Sequence, residues 1–146
     1  MGLFDKILGG GSNTPFSKPE AFAAVMLAVI AADGDISDEE KDDFLARVNR
    51  MKLFRDIGRG EFSDIIDKLF KILRKDGPAA LATRGAAALP ADLKPTVFAV
   101  ATDMIFADGS VEDSESALVE KLQTELGIAD DLAGRIIEVI ALKNRG

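Results

Sequence analysis

Apolar residues recur along this chain at the spacing of helix faces, and no segment sustains a two-residue alternation. The first long segment, from Pro19 to about Ala32, carries Phe22, Val25, Met26, Leu27, Val29 and Ile30 and has almost no polar face, which predicts a helix lying inside the protein. Ser37 and Glu40 then stand as a Ser-x-x-Glu capping box ahead of Phe44, Leu45, Val48 and Met51, predicting a second helix to about Lys52. A turn containing Gly58 and Gly60 follows, and Glu61 to Lys75 places Phe62, Ile65, Ile66, Leu69, Phe70, Ile72 and Leu73 on the broad stripe of a third. Asp76-Gly77-Pro78 breaks the pattern, and the Ala-rich piece Ala79 to Leu89 predicts a short fourth helix with a weak point at Gly85. The fifth begins near Ala91, tolerates Pro95 only within its first turn, and runs to Phe106. The sixth extends from about Asp113 to Gly127, a glycine suited to a C-terminal cap, and the seventh from Ala129 to Leu142.

Ahead of these, Met1 to Leu8 has room for about two turns with Leu3, Phe4, Ile7 and Leu8 on one side, before Gly9-Gly10-Gly11-Ser12-Asn13-Thr14-Pro15 stops it. Residues 1–16 therefore read as an arm and Gly-rich linker, and residues 17–146 as one domain. The expected fold is all-α, a single-domain bundle of about seven helices.

One stretch of the pattern returns. Ile30 to Glu40 and Ile105 to Glu115 match at six of eleven positions at a constant offset of 75, and Ile36 against Val111 keeps a seventh apolar. Each copy joins the end of an apolar helix to the start of an amphipathic one, so the bundle is expected to contain an internal pseudo-twofold repeat of two helix–acidic loop–helix hairpins. Packing the two apolar helices against each other would bring both loops to one end. Gly34 and Gly109 fall where a helix ends and a positive φ is expected.

Charge singles out the same loops. Asp33 to Asp43 holds seven carboxylates and one lysine, and Asp108 to Glu115 holds four carboxylates and no base. These windows carry a net −10 in a chain of net −7, so the remainder is +3 and the acidity is local. Acidity placed in duplicated loops suggests a site for positive charge and argues against nucleic acid as partner.

The absence of Cys, His, Trp and Tyr removes disulfides, thiolate and imidazole chemistry, the usual zinc ligands and aromatic stacking platforms. No nucleophile motif, phosphate-binding glycine loop or cofactor fingerprint is present, so no enzyme is expected. The longest apolar run, Ala21 to Ala32, is too short for a membrane span. The first residues lack the pattern of an export signal, and a cytoplasmic location is expected.

The loops support two local chemistries. Asp, Ser and Glu at a helix start cap free N–H groups and oppose the helix dipole. Counting from the first aspartate of each loop, positions one, three, five and eight are Asp33, Asp35, Ser37 and Glu40, and Asp108, Ser110, Glu112 and Glu115. All eight carry side-chain oxygen and could surround a hard divalent cation such as Ca²⁺ or Mg²⁺, in a spacing unlike an EF-hand. Capping and coordination compete for the same atoms, and Lys41 is the nearest base that could pair with the acids. Asp103, inside the fifth apolar run where the first copy has Ala28, reads as a hydrogen-bonded or surface-facing acid. The basic set Arg47, Arg50, Lys52, Arg55 and Arg59 reads as a solvated helix end.

Ala32-Asp33-Gly34 followed by Asp38-Glu39-Glu40-Lys41, Ala107-Asp108-Gly109 followed by Asp113-Ser114-Glu115, and the opening Phe4-Asp5-Lys6 together resemble the TerB family of tellurite-resistance proteins and the wider TerB-like domains. The resemblance spans nearly the whole chain. It implies an all-helical cytoplasmic protein linked to tellurite or other chemical stress, without catalysis, working with protein partners in a stress-response or membrane-associated assembly. It also implies a divalent metal at Asp33, Asp35, Glu39, Glu40, Asp108, Glu112, Asp113 and Glu115. Ser110 in place of Asp35 and Ser114 in place of Glu39 leave the second loop with fewer carboxylates. The expected function is a non-enzymatic stress-response protein binding a divalent cation through both loops. The alternative is an interaction module that docks a basic partner on its acidic face without metal.

Overall fold

A helix with no polar face is stable in water only when other elements cover it on every side. The computed structural model, which describes residues 16–33 (Asp33 by its backbone alone), 36–107 and 112–145, provides that cover. Helix α1, Lys18–Ile30, is buried around its whole circumference, with Ala21 to Met26 at 0% exposure and Leu27 to Val29 at 8% or less. Five further helices follow: α2 Asp38–Arg50, α3 Arg59–Ala88, α4 Lys94–Ile105, α5 Asp113–Leu126 and α6 Asp130–Lys143. Single 3-10 turns at Ala31–Asp33, Lys52–Phe54 and Ala91–Leu93 join them, and no strand occurs among the described residues. The all-α expectation holds. No described helix is long and apolar enough to cross a membrane.

Among the described residues, α3 consists of two helical segments joined across a break, matching the expected third and fourth helices. Gly77 adopts φ 88° and ψ 167° inside α3, a conformation that favours glycine, and Pro78 restarts the helix at a position where its missing N–H is not needed. The break read at Asp76-Gly77-Pro78 is therefore present, as a kink between the two segments. Pro95 lies in the first turn of α4 after a 3-10 turn, as its geometry requires. Gly127 caps α5 at φ 66° and ψ 36°, with the N–H of Ile128 returning to the Gln123 carbonyl at 3.0 Å and that of Gly127 to Thr124 at 3.2 Å. The expected arm helix at 1–8 and the expected conformations of Gly34 and Gly109 lie outside the described residues.

Around α1, the most extensive contact is with α3, and α4 packs on another side while itself contacting α5 and α6. Burying Phe22, Val25, Met26 and Leu27 is worth about 1.5–3 kcal/mol each, far more than the intrinsic helix preference of so short a segment. The N-terminus of α1 is held by a capping box that the sequence reading passed over. Ser17 N–H donates to Glu20 Oε1 at 2.8 Å and Glu20 N–H to Ser17 Oγ at 3.3 Å. Lys68 of α3 reaches the same glutamate at 2.9 Å, and the Phe16 ring lies under both Lys68 and Arg84, at 5.3 and 4.6 Å from its centroid.

Gly85, which helix propensity marks as weak, is where α3 comes closest to α1. A Cβ there would lie 2.9 Å from the Ala21 carbonyl oxygen, 2.9 Å from Val25 Cγ2 and 3.1 Å from Ala24 Cβ. Gly134, within α6, has nothing within 4 Å of the same added atom. Gly85→Ala is expected to destabilise the protein by about 1–3 kcal/mol through overpacking against backbone. Gly134→Ala is expected to stabilise it by about 0.4–1 kcal/mol. Urea unfolding midpoints of the two variants measure the contrast.

Candidate functional site

α1 ends at Ile30 and α4 at Ile105, while α2 begins at Asp38 and α5 at Asp113, so the boundaries of the two hairpins keep the 75-residue offset. The ends of all four helices line one cleft of about 680 Å³. Its floor is apolar, from the buried or half-buried Val29 and Ile30 of α1, Met104 and Ile105 of α4 and Leu118 of α5, with exposed Ala117 at its edge. Its rim carries Glu40, Asp43, Glu112 and Glu115 against one base, Lys121. The two apolar helices α1 and α4 do pack together, and their C-terminal ends line the same cleft; the loop residues 34–35 and 108–111 lie outside the described residues.

Capping accounts for part of the rim. Ser37 N–H donates to Glu40 Oε1 at 3.0 Å and Glu40 N–H to Ser37 Oγ at 3.1 Å, closing the capping box read from the sequence. In the second hairpin Glu112 takes the N-cap position, and its N–H donates to Glu115 Oε1 at 2.9 Å. Glu40 and Glu115 therefore each commit one oxygen to backbone and keep the other.

The eight candidate ligands separate on the structure. Glu40, Glu112 and Glu115 line the cleft, whereas Glu39 and Asp113 stand exposed in the first turns of α2 and α5, outside its lining. Asp33 closes the 3-10 turn after α1, and Asp35 and Asp108 lie outside the described residues. Among the described residues no three carboxylates come together closely enough to hold a metal ion. Lys41, the base nearest the first loop in sequence, lies over the Phe70 ring at 5.4 Å instead.

Asp43 and Lys121 are cleft residues that sequence reasoning did not select. Asp43 had a signal, since Arg47 follows it by one helical turn and its Nε donates to Asp43 Oδ2 at 2.8 Å. The same guanidinium continues inward, with Nη1 donating to Asp103 Oδ2 at 3.1 Å. Asp103 also accepts from Lys143 Nζ at 3.1 Å and from Asn144 Nδ2 at 2.8 Å, so one carboxylate links α2, α4 and the end of α6. Arg47 is thus half-buried and paired, while Arg50, Lys52, Arg55 and Arg59 are exposed as expected of a solvated end.

Burial opposes the charged form of Asp103, but hydrogen bonds from Asn144, Arg47 and Lys143 outweigh it and hold the carboxyl below its usual range. No protein-family model, curated protein or solved structure matches the chain.

A carboxyl with a depressed folded-state pKa contributes stability that is fully present above its unfolded value, about 3.9, and is lost as pH falls through the lower folded value. Asp103→Asn is expected to remove that part of the acid dependence, and Asp103→Ala to cost about 1–3 kcal/mol at neutral pH. Urea midpoints followed from about pH 6 to pH 2 test both.

Proposed function

We propose that this protein is a non-enzymatic, TerB-like module of a chemical-stress response, built on a pseudo-twofold pair of hairpins, and that its cleft takes up positive charge presented by a protein partner. The observation that carries this reading is the pairing of an acidic rim with an apolar floor in one cleft between the hairpin ends. Such a surface matches a partner that offers Lys or Arg beside apolar side chains better than it matches a bare ion. A second reading, a divalent cation held by the loop carboxylates, is motivated by Glu40, Glu112 and Glu115, three of its eight proposed ligands, all lining that cleft, although among the described residues they do not come together closely enough to hold an ion.

Glutamine keeps the carbonyl that a capping box needs and removes the charge. The double substitution Glu40→Gln with Glu115→Gln is therefore expected to change stability by under about 1 kcal/mol. The same change should weaken binding of a lysine-rich synthetic peptide severalfold in calorimetry. Binding to the unaltered chain should fall as salt rises and ignore a chelator. Titration with Ca²⁺, Mg²⁺, Mn²⁺ and Zn²⁺ separates the second reading. Affinity tighter than millimolar, lost on Asp33→Ala with Asp108→Ala and unaccompanied by peptide binding, would replace the first with it.

A further inference from the structure

The acidic cleft continues beyond the hairpin ends. Val29, Ala32, Leu118 and Lys121 line it and also a second groove of about 170 Å³, whose other walls include Pro78, Ala79 and Ala82 of α3 and Leu122 of α5. The two form one trough that follows α5 from Glu112 to Glu125, a length of roughly 20 Å at the helical rise per residue. Glu40, Asp43, Glu112 and Glu115 gather at one end, the other is mostly apolar with one carboxylate, Glu125, which accepts from Thr83 Oγ1 at 3.2 Å, and Lys121 lines both.

We propose that this trough is the docking site for a basic amphipathic helix of a partner protein, an inference that rests on the cleft reading above and names its partner class. Charge complementarity sets the polarity, since Lys or Arg at one end of the incoming helix would meet Glu40, Glu112 and Glu115. Apolar residues spaced by one turn would descend onto Leu118, Leu122 and Ala82, and the position facing Lys121 is uncharged or acidic. The walls are themselves helices, α1, α3 and α5, whose ridges accept another helix at ordinary packing distance. An extended segment would have no sheet edge to pair with among the described residues and would leave its backbone groups unsatisfied against an apolar floor, whereas a helix satisfies its own.

The test uses the full chain and two synthetic peptides of roughly 14 residues, both with lysines at one end. In one the leucines fall at helical spacing, and in the other the same leucines are scattered so that no apolar face forms. Fluorescence anisotropy is expected to show the amphipathic peptide binding at least about tenfold more tightly. Ala79 is exposed on α3, so Ala79→Arg should leave the fold intact by circular dichroism, yet fill the trough and abolish that advantage. Glu40→Gln with Glu115→Gln should weaken both peptides and flatten their salt dependence. Equal affinity for the two peptides, or an advantage that survives Ala79→Arg, would overturn the trough while leaving the acidic cleft in place. Binding of neither peptide would remove both readings. Two other occupants are distinguishable by amide NMR signals at Ala79 and Leu118. Movement of these on deletion of residues 1–8 would assign the trough to the chain's own arm, and movement on dilution alone would assign it to a second copy. Either result overturns the proposal.

Discussion

Everything in this fold answers to the enclosure of α1. Nine consecutive residues of that helix, Ala21 to Val29, are buried, so no direction around its axis is left for water, and α3 and α4 are required as walls. The side chains that make enclosure possible are small as often as they are large. Ala21, Ala24 and Ala28 lower the surface on the α3 side, and Gly85 lets the α3 backbone settle against the Ala21 carbonyl and Val25. The large residues Phe22, Met26 and Leu27 fill the remaining directions. Because α4 is also apolar and also packs on α1, the ends of both helices line one cleft, and Glu40, Glu112 and Glu115 come to its lining as a consequence. The site is a by-product of core packing before it is anything else.

Polar contacts between helices are few and placed where packing alone leaves choices open. Apolar helices of similar width can slide or rotate against one another at little cost, whereas a multiply bonded carboxylate cannot be satisfied in two registers. Asp103 accepts from Arg47, Lys143 and Asn144, which ties α2 and the end of α6 to α4. Glu20 and Lys68, with Phe16 beneath Lys68 and Arg84, do the corresponding task between α1 and α3. Thr102, the one buried polar side chain among the described residues, needs no distant partner, since its hydroxyl donates to the Phe98 carbonyl one turn back at 2.7 Å.

What the sequence made legible was periodic or local. The helix ends near Ile30 and Ile105, the capping pair Ser37 and Glu40, the Gly127 cap and the all-α class follow from spacing within a few residues, and the structure agrees with each. The misses depend on partners distant in sequence. Gly85 looked like a weak point because propensity measures an isolated helix and not the carbonyl of a neighbouring one. Lys121 and Asp43 line the cleft because helices distant in sequence pack together there, which no local pattern encodes. Arg47 read as one of five solvated bases, although Asp43 four residues earlier was a visible reason to separate it. The repeat is read in one dimension from identical residues at an offset of 75, and the helix boundaries at Ile30 and Ile105 and at Asp38 and Asp113 keep that offset.

Capping and ligand binding looked like rivals for the same oxygens, and the geometry changes the terms of that competition. A glutamate that receives an N–H at N3 loses rotamer freedom and one lone pair, but it keeps its charge and its second oxygen. For a bare divalent ion, which strips several oxygens of their other partners, that loss is a penalty. For an ammonium or guanidinium, which asks one or two oxygens of each carboxylate, it is an advantage, because the entropy of fixing the rim is already spent in folding. The apolar floor adds to the same side of the balance, since it contributes nothing to an ion and a good deal to a side chain whose stem is hydrocarbon. On the proposed reading, helix caps placed at the mouth of a hydrophobic cleft would serve as a receptor for cationic side chains with no residue set aside for that purpose alone.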